Sequence, residues 1–165
     1  MEFIKGMDIS MVKELEYYGA SYRLNGKEED LFHLLHECGT NMVRIRIWPD
    51  PYDEKGNSYG GGGNDLQTTI EIARRTVECG MDFMLDFHYS DFWADPAKQV
   101  KPKAWKELSG QALETAVYLH TLDTLKTLKN QKLVPAMVQV GNEITKGLLW
   151  PDAVSYTHLT LPTKL

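Results

Sequence analysis

Cysteine is scarce in this chain, long apolar runs are missing, and positive charge is in deficit. Each shortage excludes something. The 165 residues contain two cysteines, Cys38 and Cys79, too few for a disulfide-stapled scaffold. Both precede a glycine at an expected helix end and read as small buried residues, not as a disulfide pair. No apolar run approaches the roughly 20 residues that cross a bilayer, so no membrane partner is expected. The opening segment MEFIKGMDIS lacks the charged-then-apolar leader of a signal peptide. Acidic residues number 23 against 18 basic ones, for a net charge of −5. A phosphate-binding surface needs a basic face, so nucleic acid is not an expected partner, whereas an uncharged substrate is unaffected. HExxH, CxxC and EF-hand spacings do not occur. The run GGGGN from Gly60 lacks the Lys-Ser/Thr of a phosphate loop. It reads as a flexible strand-to-helix loop at the rim of a groove. His33, His36 and His120 fall on helix patterns and read as surface or core, not as metal ligands.

What is present is an internal repeat. ECGTNMVRIRIW from Glu37 and ECGMDFMLDFHY from Glu78 have the same plan: helix end, glycine stop, strand. Gly39 and Gly80 suit the left-handed position that closes a helix. The preceding helices carry apolar stripes at helical spacing. Leu31, Leu34, Leu35 and Cys38 form one, and Leu66, Ile70, Ala73 and Val77 another. Glu28, Glu29 and Asp30 crowd the first turn of the earlier helix, where the helix dipole favours anions. A third helix, around Gln111 to Lys129, carries Leu113, Ala116, Val117, Leu125 and Leu128. Strands are expected at Phe3–Asp8, Met42–Trp48, Phe83–His88 and Val134–Val140, the last read as buried. Helices alternating with strands require parallel pairing and right-handed crossovers. A doubly wound sheet and a (β/α)8 barrel both satisfy this. In the second case the fold class is α/β, with about four βα units making the N-terminal half of a TIM barrel. Residues 1–153 then read as one partial domain. VSYTHLTLPTKL, from Val154, fits no stripe and reads as a non-native or disordered tail over 154–165.

In a parallel α/β fold, functional groups gather at the carboxyl ends of the strands. Here all four strand ends are polar. The first ends in Asp8 and Ser10, and the second in Arg44, Arg46, Trp48 and Asp50. The third ends in Asp86, His88, Tyr89, Asp91, Trp93 and Asp95, and the fourth in Gln139, Asn142 and Glu143. The chemistry this suggests is glycoside hydrolysis. It needs paired carboxyl groups, one of them a proton donor to the leaving oxygen. It also needs aromatic faces for sugar rings, for which Trp48, Trp93 and Trp150 are candidates. Glu143 is the best acid, because partial burial after an apolar strand favours the protonated form. Asn142 beside it can hydrogen-bond a sugar hydroxyl. Arg44 reads as the partner of a structural acid, and Arg46 as the site residue.

The segments KGMDIS, VRIRIWPDP, LDFHYSDFWADPAKQ and VQVGNEITKGLLWP resemble glycoside hydrolase family 53, the endo-β-1,4-galactanases, from about Phe3 to Ala153. The resemblance implies a retaining (β/α)8 hydrolase of clan A that cuts β-1,4-galactan in arabinogalactan and acts outside the cell. It implies Glu143 as general acid/base, Asn142 as its paired amide and Arg46 as the strand-two arginine. Asp86, His88, Asp91, Trp93 and Trp150, with Trp48, fall on segments that resemble the substrate groove. The family's nucleophile glutamate, at the end of a seventh strand, matches no residue of this chain, so the fragment is expected to be inactive alone. Asp8 and Asp86 lie on strands that approach the site, but neither is expected to inherit the nucleophile's role. No organic cofactor is implied and no metal site is expected here; some members carry calcium, for which this half offers no acidic cage. Other clan A glycanases (cellulases, xylanases, mannanases) often follow Asn-Glu with Pro, whereas Ile144 stands here. A different reading is a non-catalytic half barrel that binds galactan, or self-associates through open sheet edges and an apolar interior face.

Overall fold

The computed structural model describes residues 3–154. The expected tail, apart from Val154, lies outside the described residues. In chain order the elements are β1 (Gly6–Asp8), α1 (Val12–Tyr17), β2 (Tyr22–Leu24), β3 (Lys27–Glu29), α2 (Leu31–Glu37), β4 (Met42–Ile47), α3 (Leu66–Glu78), β5 (Asp82–Phe87), α4 (Gly110–Asn130), β6 (Met137–Val140), β7 (Gly147–Leu148) and β8 (Ala153–Val154).

The main sheet is parallel and ordered β1-β4-β5-β6. Its spatial order is its chain order, with no reversal. A doubly wound sheet reverses its strand order at a switch point, so the alternative left open by the periodicity closes in favour of four consecutive strands of a (β/α)8 barrel with the helices between them.

The internal repeat that starts at Glu37 and again at Glu78 survives as geometry. After α2, Gly39 takes φ 87°, its N–H donates to His36 O, and the N–H of Thr40 donates to Leu35 O. After α3, Gly80 takes φ 78°, with Gly80 N to Val77 O and Met81 N to Thr76 O. These are the two paired bonds of a Schellman closure, and each is followed by a central strand, β4 or β5. The N-termini are equally explicit. Asp30 accepts from the N–H groups of Phe32 and His33, and Asp65 from that of Thr68.

Several expectations shift. Lys27–Glu29 does not open the helix; it pairs antiparallel with Tyr22–Leu24 across Asn25 and Gly26, both at positive φ. Asn-Gly is the strongest short hairpin signal, and it overrides the acid-rich helix start. The buried side of α2 is Phe32 and Leu35, and Cys38 is exposed; Cys79 is partly buried and both thiols are free. In α3 the stripe is rotated: Thr69, Ile72, Ala73 and Thr76 are buried beside Ile70, while Val77 points outward. The strand read as buried is largely exposed. β6 is one of the two edge strands of the described sheet and begins only at Met137; Val140, and Val134 ahead of it, are 60% and 66% exposed.

The strands divide their side chains by alternation. One face packs Val43, Ile45, Ile47, Phe83, Leu85 and Phe87 against the helices and forms the core. The other carries Arg44, Arg46, Asp86, His88 and Gln139 toward the barrel interior. The interior face, expected to be apolar, is therefore polar over its upper half.

At the edge of the core, His120 of α4 lies among the rings of Phe87, Tyr89 and Trp105, at centroid separations of 5.8, 6.3 and 5.6 Å. Burial pushes its pKa below the usual histidine value, against the opposing charge of Asp123. A histidine held neutral in the folded state takes its proton first in the unfolded one, so stability falls as pH drops below about 6.5. His120→Gln is expected to lose less of its urea midpoint between pH 7 and pH 5 than the wild type. Parallel pH profiles for the two proteins would remove His120 from this role.

Candidate active site at the strand ends

The polar face converges on one guanidinium. Arg44, central on β4, reaches Asp8 Oδ2 at 2.5 Å on one side and Asp86 Oδ2 at 2.5 Å on the other. The same group donates to Asn142 Oδ1 at 2.8 Å, and its Nε to Gln139 Oε1 at 3.4 Å. One side chain thus ties β1, β4, β5 and the exit of β6. Asp86 is fully buried and Arg44 a quarter exposed, so the pair is desolvated on the carboxylate side. Asp86 Oδ1 has no hydrogen-bond partner among the described residues. His88 Nε2 lies 2.9 Å from Asp86 Oδ2, but at an angle that leaves it without a hydrogen bond.

Asp8 is fixed by its neighbours. Burial alone would raise its pKa. The Ser10 N–H, the Arg46 charge and the side chains of Ser10 and Arg44 outweigh that and hold it below the usual carboxylate range. Ser10, fully buried, donates its hydroxyl to Asp8 Oδ1 at 2.7 Å and accepts the N–H of Arg46 at 2.9 Å.

Arg46 lies under an aromatic shelf. Its guanidinium carbon is 4.1 Å from the centroid of Trp93 and 6.0 Å from that of Trp48. Burial and the nearby Arg44 pull its pKa down, and the Asp8 and Asp86 charges pull it up. Trp93 is 37% exposed and offers ring surface to a ligand. Trp48 is completely buried against His88, Phe92 and Trp93. It presents no face to a sugar and instead supports Trp93. The glycine loop closes over this pair. A Cβ at Gly61 would lie 3.0 Å from Trp93 Nε1 and 3.1 Å from Trp48 Cη2, and one at Gly62 only 2.5 Å from Ser10 O. The loop is pinned as well, by Gly62 N–H to Glu14 Oε2 at 2.6 Å and by Asn64 Nδ2 to Gly61 O at 2.7 Å.

Asn142 is held on every side. Its Nδ2 donates to Ala94 O at 2.7 Å, its backbone carbonyl accepts from Gln99 Nε2 at 2.8 Å, and Oδ1 accepts from Arg44 and from Gln139. This fixes the amide's orientation and leaves one Nδ2 hydrogen for a ligand. Glu143 follows at φ 52°, a left-handed conformation unusual for a glutamate. It is exposed, so the partial burial expected of it is not found.

The other candidates divide. Asp86 and His88 are buried in the wall beneath Trp48 and do not reach the groove surface. Asp91 is a loop tie, accepting the N–H groups of Asp50 at 3.0 Å and Lys103 at 2.8 Å. Burial raises its pKa against these two bonds. Trp150, half-buried, donates Nε1 to Lys146 O and lines a separate hollow with Asp91. Sequence reading missed Ser10 and Gln99 as positioning residues and gave Arg44 a minor part. A usable signal existed: Arg44 and Arg46 alternate on one strand and must share a face.

The family described as "Glycosyl hydrolase family 53" matches residues 4–161. The chain is 51% identical over 147 residues to "Endo-beta-1,4-galactanase" of Bacillus subtilis (strain 168), covering 88% of this chain and 34% of that protein. It is 42% identical over 148 residues to "Arabinogalactan endo-beta-1,4-galactanase" of Cellvibrio japonicus (strain Ueda107), covering 89% and 38%. Among solved structures, "Ignisphaera aggregans GH53 catalytic domain" superposes with a TM-score of 0.89 at 47% identity, over 92% of this chain and 42% of that one. The chain therefore spans well under half the length of these relatives.

Arg44 is the only cation bonded to buried Asp86 among the described residues. Arg44→Met is expected to cost about 3–5 kcal/mol in urea unfolding, because it strands a buried carboxylate. Adding Asp86→Asn should recover part of that loss. A cost below about 1 kcal/mol, the range of a surface ion pair, would show that the network is not a buried one.

Proposed function

Since the chain belongs to glycosyl hydrolase family 53, we propose that its strand ends form the acid/base half of a groove for β-1,4-linked galactan, within an endo-acting, retaining hydrolase that works outside the cell. The observation that carries this reading is the pairing of an immobilised amide with an accessible acid. Asn142 is orientation-locked, with one free N–H, and Glu143 stands next to it at a strained backbone position, open to a glycosidic oxygen. In this role Glu143 protonates the leaving oxygen and later activates water. Asn142 donates to a hydroxyl of the sugar whose bond is broken. Trp93, backed by Arg46 and Trp48, supplies a stacking surface.

The retaining mechanism also needs a second carboxylate, about 5–5.5 Å from the first, as nucleophile. Asp8 and Asp86 are poor choices, because both are committed to Arg44. The resemblance implies a nucleophile on the seventh strand of the barrel, whereas the described sheet holds four barrel strands. On this reading the chain binds galactan and does not cleave it unaided. The residues described supply orientation and proton transfer, and the reading calls for no cofactor.

The test is to titrate the chain with β-1,4-galactotetraose, cellotetraose and xylotetraose by calorimetry, and to assay galactan for new reducing ends. Galactotetraose is expected to bind best, and Trp93→Ala to weaken it roughly tenfold, the loss of one stacking contact. No reducing ends are expected from the chain alone. Stronger binding of cellotetraose or xylotetraose would move the assignment to another glycanase class. Cleavage that survives Glu143→Gln would remove Glu143 from the acid/base role.

A further inference from the structure

The chain is acidic overall, but residues 96–106, PAKQVKPKAWK, contain four lysines and no acid. In the fold these lysines surround one hollow of about 670 Å3 beside the site. Phe92, Val100 and Trp150 give it an apolar floor, and Lys98, Lys101, Lys103 and Lys106 stand at its rim. Two of the four are already neutralised: Lys101 Nζ is 2.8 Å from Asp152 Oδ2, and Lys103 Nζ is 2.9 Å from Asp50 Oδ2. Lys98 and Lys106 have no carboxylate partner among the described residues; Lys98 lies 5.2 Å from the Phe92 ring centroid. Asp91, the remaining acid in the lining, is nearly buried, with its two oxygens turned onto backbone N–H groups. The hollow therefore presents a hydrophobic floor under net positive charge.

It is also joined to the site. Gln99 places its side chain on the carbonyl of Asn142 at 2.8 Å, and its own carbonyl accepts the N–H of Trp150 at 2.8 Å. One residue thus sets the distance from the locked amide to the floor of the hollow.

We propose that this hollow is a subsite for a carboxylated sugar, a hexuronate residue of the same glycan that the groove engages. The sugar ring lies on Trp150, and its carboxylate faces Lys98 and Lys106. An aromatic floor with a polar rim is the general form of a saccharide pocket, and the two unpaired ammonium groups specify the sign of the substituent. The volume is in the range that takes an organic ligand and far exceeds a lone inorganic anion. The proposal rests on the glycan-groove reading above in one respect, that the occupant is a saccharide.

The experiment compares trigalacturonate with its fully methyl-esterified form, which keeps the rings and removes the charge. Both are titrated into the full chain by calorimetry, with β-1,4-galactotetraose as a separate arm. The acid is expected to bind roughly threefold to tenfold more tightly than the ester at low ionic strength, as two exposed charge contacts allow. That gap should close in about 0.5 M salt, where exposed charges are screened, and should vanish in the double variant Lys98→Gln, Lys106→Gln. Trp150→Ala should weaken acid and ester alike. Equal binding of acid and ester by the wild type, or a gap that survives the double variant, overturns the proposal. So does full displacement of the acid by an equal concentration of phosphate, which marks an adventitious ion only. The ester comparison and the salt dependence use the wild type, so they decide the matter even if the variant folds poorly. Loss of galactotetraose binding with the acid–ester gap intact defeats the galactan reading and leaves the subsite standing.

Discussion

The architecture of the site depends on one buried charge finding its partners. Asp86 sits in the middle of the sheet with no access to water. A carboxylate there is costly unless a cation meets it. Arg44 does so from the neighbouring strand, and its remaining donors then reach Asp8, Gln139 and Asn142. The other polar positions follow from this arrangement. Asp8 takes its place through Ser10, which also accepts the backbone of Arg46; Arg46 is left to the tryptophans, and Asn142 is turned so that its amide nitrogen faces Ala94. A polar interior face and an apolar helix-side face are thus two results of one alternation, with the charge network closing the first and Ile45, Leu85 and Phe87 filling the second.

The parts of this structure that could be read from the residues are those governed by nearby residues. Gly39 and Gly80 announced helix closures because a left-handed position excludes most side chains. The strands followed as apolar segments of the right length after those stops. The polar strand ends were visible because alternation and chain direction alone place them. What could not be read depends on which neighbours arrive. Arg44 and Arg46 share a face, and only register and reach decide which of them spans to Asp86. Trp48 reads as an exposed platform until Gly61, on a distant loop, closes over it. Val134 and Val140 read as buried because a parallel strand usually has cover on both sides, and in the described residues β6 lies at the sheet's edge. The hairpin at Asn25-Gly26 was legible, and three acidic residues pointing to a helix start obscured it.

Asn142 is held from two sides. Arg44 and Gln139 fix the amide oxygen from within the barrel face, and Ala94 O, in the loop after β5, holds the amide nitrogen. Gln99 approaches from the loop side and carries its own connection to Trp150. Ala94 and Gln99 of that loop hold Asn142, and the lysines that follow them can vary in what they offer a ligand while those two bonds stay in place.

The order of strands in space has a consequence for how the chain comes together. β4 docks on β1, β5 on β4, and β6 on β5. Each pairing partner is the strand of the preceding unit and has already left the ribosome when the new one appears. Among the described strands none has to be threaded between two others, so the loop-closure cost is met in similar, modest increments. Assembly is then vectorial, each unit using the last as its template. The Arg44 network, whose partners come from both the first and the last strands, is completed last, as a check that all four have taken their register.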